Sequence, residues 1–212
     1  VEALKDLRYL LSRGYNREGA VRFVGDKHRV GSKERHVLMR AVYDTAEVDK
    51  RRKKIEKIDD IRGEILSIDG YNLLITVESM IANKPLINCD DHITRDISAV
   101  FGKHKITART IQALQMILKN LEEYEPSEVH FTYDKQVSKS GELASMTRRM
   151  MAEFKLKGTA KTAVKTDVAT LRSGGIVVSS DSVVIQKAKR ILDLAGELAK
   201  QTSYRDLVQL PQ

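Results

Sequence analysis

The chain has 212 residues, 42% hydrophobic and 31% charged, which allows a real core in one medium domain with a smaller one attached. No apolar run approaches the roughly 20 residues that span a bilayer, the N-terminus shows no signal-peptide core, and the single Cys89 excludes an internal disulfide or a cysteine zinc cluster. A reducing, cytoplasmic setting without a membrane partner is therefore expected.

The net charge of +8 is unevenly spread. Residues 1–57 hold 16 Lys and Arg against 9 Asp and Glu, while residues 58–212 hold 21 against 20. A basic module beside a nearly neutral domain suits a polyanionic partner, RNA above all. The blander alternative is that the excess only aids solubility.

Residues 1–57 read as a small all-α domain. Ala3, Leu7, Leu10 and Leu11 repeat at helical spacing up to Gly14, a residue type that ends helices. Asn16 is placed to cap a second helix that runs through Val24 and ends at Gly25, and Ser32 to cap a third with Val37, Leu38, Ala41 and Val42 on its buried face. The sequence leaves the end of that third helix open; a continuation would reach Lys50, Arg51, Arg52, Lys53 and Lys54, a basic run that either tracks nucleic-acid phosphates or forms a solvated face. The pattern fits a helix-turn-helix-like unit or a plain packing piece equally well.

From Ile58 strands and helices alternate, which predicts an α/β domain over 58–212 with right-handed crossovers and a mainly parallel sheet. Strands are expected at 64–68, 129–133 and 175–180, with a weak one at 161–165. Helices are expected at 73–82, 107–124, 140–154 and 167–173. A closing helix would bury Val184, Ala188, Ile191, Ala195 and Leu198. Residues 86–105 read as a short strand, a polar turn and a short helix.

Three strands run straight into an aspartate: Asp69, Asp134 and Asp181. In a parallel sheet these carboxylates gather at the C-terminal edge, where open α/β sheets place ligands. Carboxylates that close repel one another unless a divalent cation neutralises them, so the pattern points to Mg²⁺ or Mn²⁺ and to phosphate chemistry. For Asp181 alone, helix capping is a sufficient alternative. Asn72 stands beside the first acid. Lys135, Ser138, Lys139 and Ser140 follow the second, where a helix start and two lysines are placed to hold a phosphate oxygen. Asp167 and Asp91 are further metal candidates, Asp90 and Asp96 belong to the same acidic cluster as Asp91, and Arg95 lies among them as a substrate-binding candidate. Of the five histidines only His92 sits beside acids, as a catalytic auxiliary; none shows zinc-site spacing.

The run IDGYNLL, the strand into Asp134 with SKSGELA after it, and VVSSD before the final helix resemble the PIN-like nucleases of the NYN type, over roughly residues 62–200. Together with the basic segment LLSRGYNREGAVRFVGDKHRV, the whole is similar to an archaeal-type family that pairs the same two parts. The resemblance implies a three-layer α/β/α fold and metal-dependent ribonuclease activity. It implies that Asp69, Asp134 and Asp181 are the metal shell, with Asp167 beside them. The chain departs from that pattern by lacking an evident helix-borne second acid and by a single Asp near position 167.

Other readings remain beside it. One is a non-catalytic RNA-binding or scaffold protein that keeps the fold; another is a small-substrate phosphatase; a homodimer is a further expectation. A haloacid-dehalogenase-type phosphatase needs an acid two residues after the nucleophilic Asp, where this chain has Tyr71. Neither a P-loop nor a GxGxxG fingerprint is present.

Overall fold

The computed structural model describes residues 1–97 and 104–211. Its N-terminal region is built of four helices, α1 (Glu2–Ser12), α2 (Arg17–Lys27), α3 (Ser32–Ala41) and α4 (Thr45–Arg52). Leu7, Leu11, Ala20, Val21, Val24, Leu38 and Val42 share one core. Asn16 caps α2 as its position predicts, accepting from the Gly19 N–H at 3.1 Å.

One expectation fails here, and one open point is decided. Gly25 does not end α2: it is buried, and a Cβ there would lie 2.5 Å from the Arg35 guanidinium, so glycine serves close approach rather than termination. The third helix stops at Ala41, because Val42 turns extended and Asp44 caps a new helix by accepting from the Glu47 N–H.

A 3-10 turn at Ile58–Ile61 leads into the second region. In chain order it contains β1 (Ile65–Asp69), α5 (Gly70–Ile81), β2 (Leu86–Asn88), β3 (Thr94–Asp96), α6 (Ala108–Tyr124), β4 (Glu128–Asp134) and α7 (Ser140–Glu153). Next come β5 (Gly158–Ala163), α8 (Thr166–Arg172), β6 (Ile176–Val178), α9 (Ser182–Lys187), α10 (Leu194–Gln201) and β7 (Leu207–Gln209). The main sheet has the order β5-β4-β1-β6 and all its pairings are parallel. The region is therefore α/β with a mainly parallel sheet.

Both faces of the sheet are covered. On β6, Ile176 and Val178 join the main core with Leu66, Ile68, Leu114 and Phe131. Val177, between them, joins a second cluster with Ile93, Val184, Ile185, Ala188 and Ile191. Alternate residues of one strand thus point into two cores, an arrangement consistent with a three-layer sandwich. Burying side chains such as Leu66 and Ile68 completely contributes about 1.5–3 kcal/mol each.

A second, smaller sheet was not expected. β2 pairs antiparallel with β3 and parallel with β7. The short helix expected at the end of 86–105 falls largely outside the described residues. The single closing helix is instead two. Ile191 bridges Ile55 and Val177 in extended backbone, and Asp193 restarts the helix by accepting from the Gly196 N–H. No helix among the described residues is long and apolar enough to cross a membrane.

Candidate functional site at the strand ends

Asp69 and Asp134 close β1 and β4, which are neighbours, and Asp181 follows β6, the neighbour of β1 on its other side. The sequence order of strands and acids therefore becomes one edge of one sheet. Gly70 makes the first corner possible: a Cβ there would lie 2.3 Å from the Tyr133 ring.

Asp69 is buried and accepts three hydrogen bonds, from the Asn72 N–H at 3.5 Å, from Asn72 Nδ2 at 2.5 Å and from Ser179 Oγ at 3.2 Å. All three donors are neutral. Burial pushes this carboxyl up to about 6; the hydrogen bonds oppose that rise, and the Asp181 charge adds to it. Asn72 is itself held, its Oδ1 accepting from Ser180 Oγ at 3.3 Å. Asp134 is half-buried and accepts from the Gln136 N–H at 2.8 Å.

Asp69 and Asp134 line one cleft of about 480 Å³ together with Tyr71, Asn72, His104 and Thr166. His104 pairs with both Glu78 oxygens at 3.1 Å and its ring meets that of Tyr71 at 5.4 Å. Tyr71 and Thr166 each carry a buried side-chain oxygen without a hydrogen-bond partner among the described residues. Burial, with the charge of Asp134, pushes the Tyr71 phenol up to about 12. Sequence reasoning missed His104 and Tyr71 as lining residues. The histidine has no telling neighbours in sequence, and Tyr71 carries no signal of its own there beyond the place of a missing acid.

Asp181 opens instead on a second cleft, of about 540 Å³, between the N-terminal helices and the β6–α9 turn. Its carboxylate caps α9, accepting from the Val183 and Val184 N–H groups at 2.8 and 3.0 Å. Arg17, Arg40, Arg51 and Arg95 line the same cleft. Asp167 lines neither cleft; its carboxylate lies 3.7 Å from Lys187 Nζ.

Asp91 and Arg95 require correction. Asp91 is fully buried and receives Arg95 at 2.6 and 2.7 Å and Arg51 at 2.6 Å, so its charge is spent on two guanidiniums. Those cations hold its carboxyl below the usual range against the effect of burial. Asp90 is similarly used, receiving Arg8 Nε and Nη2 at 2.9 and 2.6 Å and the Tyr43 N–H at 3.1 Å. This acidic pair fastens the N-terminal helices to the α/β region. The guanidiniums of Arg17 and Arg51 lie 4.5 and 4.2 Å from the centre of the Tyr43 ring, and its hydroxyl meets Ser182 Oγ at 2.5 Å.

The basic run is corrected in part for the same reason. Arg51 is buried in that ion pair, and Lys54 donates to the Ile185 and Gln186 carbonyls. Lys50, Arg52 and Lys53 stay exposed. Near α7, Lys135 and Ser138 are exposed, Lys139 lies 3.4 Å from Glu142, and Ser140 is buried with its N–H bonded to the Val137 carbonyl. His92 sits exposed in a left-handed turn and lines neither cleft. Cys89 is buried, and burial pushes its thiol up to about 11, as suits an inert thiol.

The donor chemistry of the Asp69–Asp134 cleft fits Mg²⁺ or Mn²⁺: hard oxygen donors and two buried oxygens without partners among the described residues. Among the described residues no three His, Cys, Asp or Glu side chains gather as a ready cage. Mg²⁺ needs none, because it keeps several waters and is held by one or two carboxylates together with substrate phosphate.

No solved structure matches the chain. Residues 1–54 match a second family, described as a protein of unknown function (DUF434). An uncharacterised protein of Methanocaldococcus jannaschii is 34% identical over 198 residues, covering 92% of this chain and 94% of the relative, so the alignment runs through both the helical and the α/β regions. Residues 58–197, well over half of the chain, match the family described as a domain of unknown function (DUF5616), and the chain belongs to that family.

Proposed function

We propose that the protein is a divalent-metal-dependent ribonuclease whose α/β region is PIN-like. The observation that carries this reading is a buried carboxylate without a cation. Among the described residues Asp69 has only neutral hydrogen-bond donors; it shares its cleft with Asp134 and feels the charge of Asp181 from the next strand. Asp91, by contrast, is neutralised by two guanidiniums, whereas Asp69 caps α5 and shares its sheet edge with two further acids. The parallel strand order that puts the three acids on one edge supports the PIN-like assignment.

In this reading Asp69 and Asp134 hold the metal, and Asn72 fixes the orientation of Asp69. A bound Mg²⁺ or Mn²⁺ would supply positive charge against the scissile phosphate and acidify a water. Tyr71 and Thr166 offer hydroxyls to phosphate oxygens or to the metal's waters. Arg40 and Lys135, at the two flanks, draw the RNA backbone toward the edge. Asp181 orients the β6–α9 turn and adds negative potential rather than a direct ligand.

The test is cleavage of single-stranded and structured RNA with Mg²⁺ or Mn²⁺, wild type against Asp69→Asn and Asp134→Asn. Wild-type cleavage that chelator and either substitution abolish is expected. A folded wild type that cleaves nothing under either metal would leave the second reading, a non-catalytic RNA-binding protein. That reading is favoured by one observation, the use of Asp181 as a helix cap facing the other cleft.

A further inference from the structure

Three aromatic side chains stand far out in solvent, Tyr9, Tyr15 and Phe23, at 62–64% exposure, and all fall within the first 24 residues. Single exposed apolar residues are ordinary. Tyr9 and Phe23 fall on one side of a helix hairpin, and Tyr15 stands in the turn that closes it. Asp6 on α1 receives Lys27 of α2 at 2.6 Å and lies 2.8 Å from His28, which sets the two helices antiparallel with position 6 opposite 27. One turn further along, positions 9 and 10 face 23 and 24. Val24 is buried and Leu10 packs against the core, which leaves the exposed Tyr9 and Phe23 on the outward side of the same hairpin. Tyr15 lies in the turn that joins the two helices, its N–H bonded to the Leu10 carbonyl.

The charge around this face is positive. Residues 1–29 hold seven Lys and Arg against four Asp and Glu. Arg13 follows Tyr9 by four residues and so shares its face. Arg13, Arg22 and Arg29 are exposed and make no ion pair among the described residues. The run at 50–54, by contrast, has Arg51 and Lys54 committed to internal partners.

We propose that the outward face of the α1–α2 hairpin binds single-stranded RNA, stacking unpaired bases on Tyr9, Tyr15 and Phe23 while Arg13 and Arg22 meet the phosphates. Aromatic platforms beside cations suit unpaired bases, because a duplex keeps its base faces stacked internally. A second copy of the chain is a poorer occupant, since it would set two positive faces against each other. The inference rests on the reading that the protein acts on RNA, and it names the form of RNA and the surface that receives it.

The full chain is titrated in chelator with a labelled single-stranded oligouridylate and with an RNA duplex of equal length. Tyr9→Ser, Tyr15→Ser and Phe23→Ser should each weaken single-strand binding by about tenfold, with Phe23→Trp retaining it. The slope of log affinity against log salt should stay unchanged in these variants and fall by about 0.7 in Arg13→Gln. Unaltered single-strand affinity in the aromatic variants, or no wild-type binding, overturns the inference. So does a change confined to the oligomeric state on sedimentation, which would make this a self-association face. Base-stacking binding without cleavage would leave this surface standing and remove the nuclease reading; cleavage with aromatic-independent binding would do the reverse.

Discussion

Two aspartate clusters of this protein meet opposite fates. Asp90 and Asp91 are saturated by Arg8, Arg51 and Arg95 and by the Tyr43 N–H. Asp69, equally withdrawn from water, receives among the described residues only an amide side chain, a hydroxyl and a backbone N–H, with two more acids at the same sheet edge. The first cluster holds two parts of the chain together. The second is left short of positive charge, as a site that recruits its cation from outside would be. Burial alone does not separate structural from functional acids; the identity of their partners, and whether further acids share their edge, bear on it as well.

The largest effect should come from breaking the saturated cluster. Asp91→Ala leaves Arg51 and Arg95 buried without their shared carboxylate and should destabilise the fold by about 3–5 kcal/mol, read as a lower urea midpoint at unchanged slope. A loss below about 1 kcal/mol would show that these arginines find other partners and that the contrast with Asp69 is overdrawn.

Asp69 should behave in the opposite sense. Its folded carboxyl titrates near 6 against an ordinary value of 3.8, so between those pH values the folded state holds the extra proton. Stability is then fully kept below pH 4 and declines as pH rises to 6, by about 3 kcal/mol at most in the metal-free protein. Asp193, also raised by burial, adds to the same trend. In Asp69→Asn the metal-free protein should be at least as stable as wild type at pH 7.5, and its decline between pH 4 and 6 should be shallower. A parallel pH profile for the two proteins would contradict a strained carboxylate at that position.

A smaller effect is expected where the two regions meet. Tyr43→Phe removes the hydroxyl contacts to Ser182 and the Arg40 carbonyl while keeping the ring beside its guanidiniums, and should cost about 1 kcal/mol in thermal or urea unfolding. A cost of 3 kcal/mol or more would instead make the hydroxyl a principal fastener of the N-terminal helices.

Much of the sheet edge was legible in the sequence because the signals are local. An apolar strand, an aspartate and a small or polar turn residue recur at Asp69 and Asp181, and the apolar helix stripe after Thr107 is long and regular. What was not legible depends on distant partners. Arg51 reads as part of a basic run, and only the fold brings Asp91, forty residues on, into contact with it. Strands β2, β3 and β7 have three residues each, too short for alternation to register. The spacing of Val184, Ala188, Ile191, Ala195 and Leu198 is truly helical, yet pairing of Ile191 with Val177 and Ile55 overrides it. Asp44 three residues before Glu47 and Asp193 three before Gly196 were readable cap signals that apolar periodicity concealed.

Thermal unfolding under Mn²⁺ titration tests the strand-end site most directly. A cation that binds only the folded protein adds about 2.7 kcal/mol of stability at a hundredfold excess over its dissociation constant, so the wild-type Tm should climb by several degrees. The climb should vanish in Asp69→Asn with Asp134→Asn and survive in Lys50→Gln with Lys53→Gln. A Mn²⁺ response of equal size in the double aspartate variant, or none in the wild type, would contradict a metal site at the ends of β1 and β4.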